Sequence, residues 1–309
     1  MRVVAALGGN ALLRRGEPAD AETQRRNVAE AVASLAEIAA GNELIVTHGN
    51  GPQVGLLALQ ALAYPDVRPY PLDVLGAESE GMVGYLLEQE LQNELPDHDV
   101  ATLLTQVIVD PDDPAFESPS KPVGPVYDED EARRLAVERG WSVARDGERW
   151  RRVVPSPEPR SIVELGTIRL LVERGVIVIC AGGGGIPVVA LGAGRLHGVE
   201  AVIDKDLAAA LLAQQLEADA LLLLTDVPAI EVGGENGHGR ALRCATSEKV
   251  RALALPRGSM GPKAEAAARF ADATGGIAVI AALEDAQAAL HGLAGTSVRP
   301  ASLPDPAPQ

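Results

Sequence analysis

Four short apolar runs in this sequence each end in a turn rich in glycine, asparagine or aspartate, and this recurrence constrains the fold more than any other feature. The runs cover residues 3–7, 43–47, 176–180 and 220–225, and the turns that follow cover residues 8–10, 48–52, 181–187 and 226–228. Apolar helical patterns lie between the runs, for example at 23–40 and 207–216. Strands that alternate with helices indicate a parallel sheet, so the sequence predicts an α/β fold.

The position of the four turns predicts one binding site. In a parallel sheet, ligands gather at the carboxyl ends of the strands. Glycine at these ends lets backbone N–H groups approach an oxyanion closely. Any single glycine turn is more often only a turn, but four in the same topological place indicate a shared site.

Lysine is rare in this chain and is concentrated in unusual motifs. Only four of the 27 Lys and Arg residues are lysines. Lys121, Lys205 and Lys263 lie in motifs rich in Gly, Pro or Asp, whereas Lys249 has the setting of an ordinary solvated helix residue. A compact ammonium group can follow a moving phosphoryl group without the planar fit that a guanidinium requires. The three motif lysines are therefore predicted to be functional, and the alternative is chance survival in a composition biased towards arginine.

The stretch 203–207 places Lys205 between Asp204 and Asp206 just where an apolar helical pattern begins. A half-buried lysine needs a charge partner to stay protonated, and carboxylates are favourable at the positive end of a helix dipole. The helix that follows would hold this first turn rigidly. We therefore expect Lys205 to present a fixed positive charge to an anion.

Charge and length argue against several classes of function. The net charge of −16 argues against a nucleic-acid partner and against an anionic membrane surface. No segment approaches about 18 uninterrupted apolar residues. A strand pattern begins directly after Met1 without a signal peptide, which predicts a cytoplasmic protein with no membrane partner. The hydrophobic content of 47% is ample for a core.

Residues 110–159 differ from the rest of the chain in composition and in apolar periodicity. Pro and Asp are dense there and apolar periodicity is lost. A segment of this length is too long for a loop inside a compact domain, so it predicts an inserted lid subdomain, which contains Lys121. We call it the lid segment. The prediction is one domain over residues 1–300 that carries this lid, followed by a disordered tail at 301–309.

Common catalytic signatures are missing from the sequence. It contains no P-loop motif, no nucleophile elbow and no H-E-x-x-H, and the glycine turns do not complete G-x-G-x-x-G. His48 has no evident partner and is assigned a structural role, Cys180 is expected to be a buried thiol, and no metal-ligating residues are predicted. The candidate functional residues that remain are the lysines, the glycine turns and the aspartates. This set fits phosphoryl transfer, which depends on positioning and charge neutralisation.

A set of distinctive motifs runs along the chain, at residues 4–11, 47–55, 113–116, 121–124, 152–157, 182–188, 200–207, 224–227 and 258–263. Together these motifs resemble the carbamate kinases of the amino acid kinase superfamily. The resemblance runs from about residue 3 to about residue 297. It implies a three-layer αβα sandwich around a mainly parallel sheet, with the lid subdomain inserted at about 110–159.

The resemblance also implies residue roles. Most amino acid kinases carry a lysine two residues before the first Gly-Gly, where this chain has Ala6, and Lys121 in the lid is implied to supply the missing charge. Lys205 would contact the transferring phosphoryl group, Asp206 would orient the lysines, and Lys263 would bind the nucleotide phosphates. The residues implied to hold carbamate and the γ-phosphoryl group are Gly8, Gly9, Asn10, Gly49, Asn50 and Gly51. Those implied to lie at the nucleotide are Gly183, Gly184, Thr225, Asp226, Met260 and Lys263.

The implied reaction is ATP + carbamate ⇌ ADP + carbamoyl phosphate, with Mg²⁺ on the phosphates. Because a carbamate oxygen is already an anion, this reaction needs no general base. Family membership further implies a homodimer and ATP formation in arginine catabolism. One departure from the family is Glu80, where glutamine is usual, on a helix implied to lie in the dimer or the substrate wall. This departure concerns substrate affinity and leaves the reaction class unchanged.

Two alternatives stay open at this point. The first is a kinase for another small carboxylate, such as an acylated amino acid, and the combination of Ala6 with Lys121 argues against it. The second is a non-catalytic, nucleotide-responsive sensor built on the same fold, and the presence of all three motif lysines argues against that.

Overall fold

The computed structural model describes residues 1–14, 16–64, 66–233, 239–256 and 258–302, without the side chain of Asn10. Most of the predicted tail lies outside these residues, so its disorder stays a prediction. None of the helices in the described ranges is both long and apolar enough to cross a bilayer.

Helices and strands alternate along most of the chain. The first elements are β1 (Arg2–Leu7), α1 (Gly9–Leu12), α2 (Ala21–Ala39), β2 (Glu43–His48), α3 (Gly51–Ala63), α4 (Leu72–Glu94), β3 (Val100–Thr102), β4 (Gln106–Val109), β5 (Lys121–Tyr127), α5 (Glu129–Arg139), β6 (Ser142–Asp146) and β7 (Arg149–Val154). The later elements are β8 (Pro159–Ile162), α6 (Leu165–Val172), β9 (Ile177–Ile179), β10 (Ile186–Ala190), β11 (Leu196–Gly198), α7 (Lys205–Gln215), β12 (Ala220–Thr225), β13 (Ile230–Val232), β14 (Arg240–Leu242), β15 (Cys244–Thr246), α8 (Ser247–Ala252), α9 (Met260–Thr274), β16 (Ile277–Ala282), α10 (Ala286–Leu290) and β17 (Thr296–Arg299). Short 3-10 turns lie at Pro114–Phe116, Gly182–Gly184 and Leu283–Asp285.

The main sheet has eight strands in the order β15-β17-β16-β12-β1-β2-β9-β3. Neighbours from β16 to β3 are parallel, and β17 pairs antiparallel with β16. β1 lies between β2 and β12, with Val3 opposite Leu44 on one side and Ala220 on the other. The predicted α/β fold with a mainly parallel sheet is confirmed.

Helices cover both faces of the main sheet because the central strand is apolar on both. In β1, Val3, Ala5 and Leu7 belong to one buried cluster with side chains of α2, α4 and α10. Val4 and Ala6 belong to a second cluster with side chains of α6, α7, α8 and α9. Strands that are buried on both faces are continuous apolar runs rather than alternating ones. The two clusters make the three-layer αβα sandwich.

Local capping sets the ends of the helices. The side chain of Asp20 accepts a hydrogen bond from the backbone N of Thr23 at 2.8 Å, which starts α2 two residues before the predicted position at 23. Gly275, with φ of 70°, closes α9 in the left-handed conformation. These ends matter for function because α3, α7 and α9 all begin at the same edge of the sheet as the predicted site.

The chain leaves and re-enters the body through neighbouring strands. β4 and β8 are antiparallel partners in a smaller sheet, ordered β11-β10-β4-β8, with Val107 opposite Ile162. Between them, β5, β7 and β6 form a separate antiparallel sheet that α5 accompanies. Val123 and Val154 of this sheet pack with Val54, on α3, in a small apolar cluster. The lid segment thus has its own sheet, and its role as a lid subdomain stays a prediction.

Candidate active site

A cleft of about 560 Å³ opens where β1, β2 and β12 end. Its lining contains most of the residues that the sequence predicted for the site: Gly8, Gly9, Gly49, Asn50, Gly51, Lys121, Gly183, Lys205, Asp206, Thr225, Asp226, Met260 and Lys263. Gly184 is not among the lining residues in the described part of the chain. The side chain of Asn10 lies outside the described residues. The structure therefore gathers the separate motifs at one place, and their roles stay predictions.

The turns after β1 and β2 approach each other through their backbones. A Cβ atom on Gly49 would lie 2.8 Å from the backbone N of Gly9, which is too close for any side chain at position 49. The backbone N of Gly8 donates to the carbonyl of Leu224 at 2.8 Å, and this bond ties the first turn to β12. Because α3 begins at Gly51, these turns lie beside the positive end of a helix.

The turn that follows β9 completes this side of the cleft. Ala181, Gly183, Gly184 and Gly185 all have positive φ angles, so the chain coils tightly here. A Cβ atom on Gly183 would lie only 2.1 Å from the side-chain amide of Asn50. We call the turns at 8–9, 49–51 and 181–185 the glycine wall.

The opposite side of the cleft is charged. Asp206 lies between two lysines, with Lys205 Nζ 2.5 Å from Oδ1 and Lys263 Nζ 3.2 Å from Oδ2. Burial alone would lower the pKa of Lys205, but Asp206 and Asp204 outweigh burial and leave that pKa raised. Burial and repulsion by Lys205 lower the pKa of Lys263. Asp206 therefore holds two ammonium groups close together.

The third lysine reaches the cleft from the lid segment. Lys121 Nζ lies 2.7 Å from Oδ2 of Asp204. The other oxygen of Asp204 accepts hydrogen bonds from the backbone N atoms of Asp206 and Leu207 and so caps α7. Burial opposes the charge on Asp204, but Lys121 and Lys205 hold the pKa of its carboxyl below the usual value. Asp204 thus joins the lid to the start of α7.

Five side chains in the cleft together carry a positive surplus, and the carboxylate of Asp226 lies elsewhere in the cleft lining. We call Lys121, Asp204, Lys205, Asp206 and Lys263 the lysine cluster. Three ammonium groups face two carboxylates, and the first turns of α7 and α9 add the positive ends of their dipoles. The chain as a whole carries a net charge of −16, so the cluster is a local exception. An anion is the ligand that this arrangement can bind.

A relay of hydrogen bonds positions Asn50 against the glycine wall. Asn50 Nδ2 donates to the hydroxyl of Ser79 at 2.7 Å, and that hydroxyl donates to the carbonyl of Gly76 at 2.8 Å. Both partners belong to α4, a helix of the outer layer. The conformation of Asn50 is therefore set by an element that does not itself line the cleft.

Glu80 lies buried behind the glycine wall, with 1% of its surface exposed. Its carboxylate accepts hydrogen bonds from the backbone N atoms of Gly182 at 2.8 Å and Thr105 at 3.2 Å. Burial raises the pKa of Glu80 to about 8, although these two N–H groups act in the opposite direction. Glu80 is therefore a support beneath the glycine turn, and the place in the dimer or the substrate wall that the resemblance implied for its helix stays a prediction.

His48 is also completely buried next to this turn. Its Nδ1 atom donates to the carbonyl of Gly49 at 3.1 Å. Burial lowers the pKa of His48 to about 4, and the positive charge of Lys205 acts in the same direction. His48 is therefore neutral near pH 7 and contributes shape rather than charge.

The residues predicted for the nucleoside come from two elements. Thr225 ends β12, and its hydroxyl donates to the carboxylate of Asp226 at 3.1 Å. Met260 begins α9 next to the cleft, three residues before Lys263. Lys249, in contrast, is exposed on α8, as expected of a solvated helix residue.

Three residues that hold the site together were absent from the predicted set. Asp204 was recognised only as a carboxylate beside Lys205, although its place in the Asp-Lys-Asp stretch could have identified it. Ser79 and Glu80 accept hydrogen bonds from Asn50 and Gly182, which are distant in sequence, so no local sequence pattern predicts those contacts.

A second concavity, of about 620 Å³, lies at the opposite edge of the main sheet. Its lining includes Arg2, Glu43 and Asp219. The guanidinium of Arg2 donates to Glu43 at 2.8 Å, and the backbone N of Arg2 donates to Asp219 at 2.7 Å. Parallel sheets bind their ligands at the carboxyl edge. We therefore assign function to the cleft and not to this concavity.

Sequence comparisons place the chain close to known enzymes. A model of the amino acid kinase family matches residues 1–281. The carbamate kinase of Haemophilus influenzae is 55% identical over 299 residues, which cover 96% of either chain. The carbamate kinase of Rhizobium meliloti is 54% identical over 301 residues, which cover 96% of this chain and 93% of the relative.

Solved structures agree with the sequence comparisons. The carbamate kinase from Giardia lamblia bound to citric acid matches with a TM-score of 0.89 and 42% identity, covering 97% of this chain and 98% of that one. The same enzyme bound to AMP-PNP matches with a TM-score of 0.88 and the same identity and coverage. The UMP kinase of Bacillus anthracis, 15% identical with a TM-score of 0.54, shares the fold alone. From the family model and these relatives, the chain belongs to the amino acid kinase family, and within it to the carbamate kinases.

Proposed function

We propose that the protein transfers a phosphoryl group reversibly between ATP and carbamate, giving ADP and carbamoyl phosphate. The observation that carries this proposal is that the third ammonium group of the lysine cluster comes from the lid segment and not from β1. Ala6 is buried in β1 with 1% of its surface exposed, whereas Lys121 reaches the lysine cluster from the lid segment. This arrangement is the one that the resemblance to carbamate kinases implied.

The proposed chemistry moves no proton. In the ATP-forming direction, a β-phosphate oxygen of ADP attacks the phosphorus of carbamoyl phosphate, the bond from phosphorus to the carbamate oxygen breaks, and carbamate leaves as an anion. No general base is required, and His48, the histidine next to the glycine wall, is neutral and buried. The residues need only position the reactants and offset the charge on the phosphoryl group.

Each part of the cleft has a proposed task. The turns at 8–10 and 49–51 would hold carbamate and the phosphoryl group with their backbone N–H groups, and Gly183 and Gly184 would lie at the nucleotide. Lys205 would follow the phosphoryl group during transfer, and Lys263 would hold the nucleotide phosphates. Both ammonium groups now contact Asp206, so a bound phosphate would share them with this carboxylate.

ATP and ADP are the proposed nucleotides, and a related enzyme binds the ATP analogue AMP-PNP. In proteins, Mg²⁺ is usually held by substrate phosphates, water and one or two carboxylates. The described ranges contain no group of three His, Cys, Asp or Glu side chains that could cage a metal ion. We therefore propose that the nucleotide phosphates carry Mg²⁺, where it would neutralise part of their charge.

Three finer proposals follow from membership of the family: a homodimer, a cytoplasmic location, and a role in ATP formation during arginine catabolism. The first can be measured directly. Light scattering coupled to size exclusion should give twice the chain mass of 32.1 kDa. A mass equal to one chain at micromolar concentration would contradict the dimer.

The decisive experiment is a coupled assay for ATP made from ADP. Carbamoyl phosphate should support ATP formation, and acetyl phosphate should support it far more weakly. Equal rates with both would favour a kinase for another small carboxylate. Nucleotide binding without any ATP formation would favour the sensor.

A further inference from the structure

At Gly55 the lid segment approaches α3 through its backbone, beside the apolar side-chain contacts of Val54 with Val123 and Val154. A Cβ atom on Gly55 would lie 3.0 Å from the Cα atom and 3.3 Å from the backbone N of Gly124. Contacts this short are tighter than almost all that real side chains make, so either residue 55 or β5 would have to shift. Helix α3 and strand β5 can therefore lie this close together only because residue 55 is glycine.

The partner in β5 is equally specialised. Gly124 has a φ of 72°, in the left-handed region that favours glycine. The pairing of β5 with β7 also shifts register between Val123 and Val126, so a bulge surrounds this residue. The bulge brings the backbone of β5 towards α3 at the point where Gly55 leaves room for it.

This contact lies between the two sides of the cleft. Gly55 is one helical turn beyond Gly51, where α3 begins at the glycine wall. Gly124 is three residues beyond Lys121, whose ammonium group contacts Asp204. Beside the contact, Val54 and Val123 are both buried and both line the cleft. A change in spacing here would move Lys121 relative to the glycine wall.

We propose that Gly55 is a positioning residue: the absence of a side chain at this position lets β5 lie close enough to α3 to place Lys121 on the lysine cluster. This inference rests on the proposed function, because Lys121 is the group that it positions. Gly55 itself touches no reacting atom.

Glycine is a poor residue for a helix interior, and alanine is the best. In Gly55→Ala the gain in helix propensity and the steric cost of the short contact oppose each other, so the melting temperature should change by only a few degrees. A merely structural glycine would then show turnover that follows this small change in stability. A positioning glycine should show a loss of turnover in a protein that is still fully folded at the assay temperature.

The kinetic test compares Gly55→Ala with a matched control. Gly166 also lies in a helix, α6, and no atom lies within 4 Å of the position that its Cβ would take. We expect Gly55→Ala to lower kcat roughly 5- to 20-fold with KM for ADP unchanged, because displacements of a few tenths of an ångström weaken a positioned charge. Gly166→Ala should keep the wild-type kcat. Full activity in Gly55→Ala would overturn the proposal.

A double variant tests whether Gly55 acts through Lys121. In a Lys121→Ala background, Gly55→Ala should cost less than about 2-fold, because the charge it positions is already gone. The same 5- to 20-fold loss of kcat in both backgrounds would overturn the proposal. It would show that Gly55→Ala acts by a general distortion of α3.

A spectroscopic test needs no activity at all. The chain has four lysines, so protein labelled with ¹³C,¹⁵N-lysine should give four resolvable side-chain signals. Gly55→Ala should shift the Lys121 signal and leave that of Lys249 in place, whereas an unmoved Lys121 signal would overturn the proposal. A wild type that makes no ATP from carbamoyl phosphate would instead remove the proposed function, and the Lys121 signal would still report on the positioning.

Discussion

The two sides of the cleft are suited to an anion in different ways. The lysine cluster presents charged side chains that already pair with one another, so a ligand would redistribute existing contacts. The glycine wall presents backbone that is packed too tightly for side chains, as at Gly49 and Gly183. The lysine cluster depends on the charged groups that are present, whereas the glycine wall depends on the absence of side-chain atoms. Substitutions on the two sides should therefore fail in different ways.

The same contrast holds for the two buried carboxylates. Asp206 contacts two ammonium groups, whereas Glu80 has no ion-pair partner among the described residues and accepts hydrogen bonds from the backbone N atoms of Thr105 and Gly182. A buried charge without a counter-ion is costly, and burial accordingly raises the pKa of Glu80 to about 8. Two ammonium groups balance the charge of Asp206, whereas the raised pKa leaves Glu80 mostly protonated near pH 7, and its carboxyl supports the backbone of the glycine turn.

The largest expected effect is the loss of Lys205. Lys205→Met should fold normally and lower kcat by roughly 10²–10³, the usual cost of removing one donor to a developing charge. The coupled assay measures the rate, and circular dichroism checks the fold. Lys249→Met, on the exposed face of α8, is the matched control and should turn over like the wild type. Wild-type turnover in a folded Lys205→Met protein would remove this residue from the mechanism.

Lys121 should rank second. Lys121→Ala should lower kcat by roughly 10²-fold and leave ADP affinity nearly unchanged, because Lys205, Lys263 and the glycine wall hold the nucleotide without it. Titration calorimetry with ADP, together with the coupled assay, separates these two quantities. Weaker ADP binding with kcat retained would show that Lys121 stabilises bound ADP and not the transition state.

A substitution in the glycine wall should damage both activity and stability. Gly183→Ala would strain a residue with φ of 67° and push its Cβ into Asn50, so we expect about 1–3 kcal/mol of destabilisation and roughly 10-fold lower kcat. Gly192→Ala is the control, since Gly192 has φ of 82° and nothing lies within 4 Å of its Cβ position. Denaturant melts should show strain in both variants, and only Gly183→Ala should lose turnover. Equal turnover in the two variants would mean that Asn50 tolerates displacement.

The smallest expected effect concerns Glu80 and appears only when pH is varied. Because the folded pKa of about 8 exceeds the ordinary value of 4.5, Glu80 stabilises the fold fully below pH 4.5 and loses this contribution as pH rises through about 8. Glu80→Gln cannot ionise. Its melting temperature should therefore fall less than that of the wild type between pH 5.5 and 8.5, by roughly 2–6 °C.

The control for this pH series is Glu37→Gln, an exposed residue of α2. It should follow the wild-type profile across the whole range. Parallel profiles for wild type and Glu80→Gln would show that the two backbone N–H groups compensate the buried charge completely.

The body of the fold was predictable because its strands are apolar throughout. The predicted strand 220–225 coincides with β12, in which five of the six residues are buried. The strands of the lid sheet were not predicted, because β5 contains Pro122 and Pro125 and most of its residues are partly exposed. A strand with proline and without alternation carries no periodic signal.

The position of the site was predictable, but its internal contacts were not. Topology alone places glycine turns at one edge of a parallel sheet. In contrast, the pairing of Lys121 with Asp204 joins residues 83 positions apart, and the approach of Gly55 to Gly124 depends on a bulge in β5. Glu80 likewise meets Gly182 only after α4 has packed onto the sheet. These contacts follow from tertiary packing, which a local pattern does not encode.

The central position of β1 affects how the chain folds while it is being synthesised. The backbone N of Arg2 bonds to Asp219, 217 positions later, and β12 pairs along the whole of β1 from Val3 onwards. At about 5–20 residues per second, a ribosome would need roughly 10–40 s to supply that partner. During this interval one edge of a fully apolar strand is unpaired, and such an edge is a template for aggregation. A nascent or truncated chain that ends before residue 220 should therefore depend on chaperones, and refolding of the intact protein should be slow because its first strand must wait for a late one.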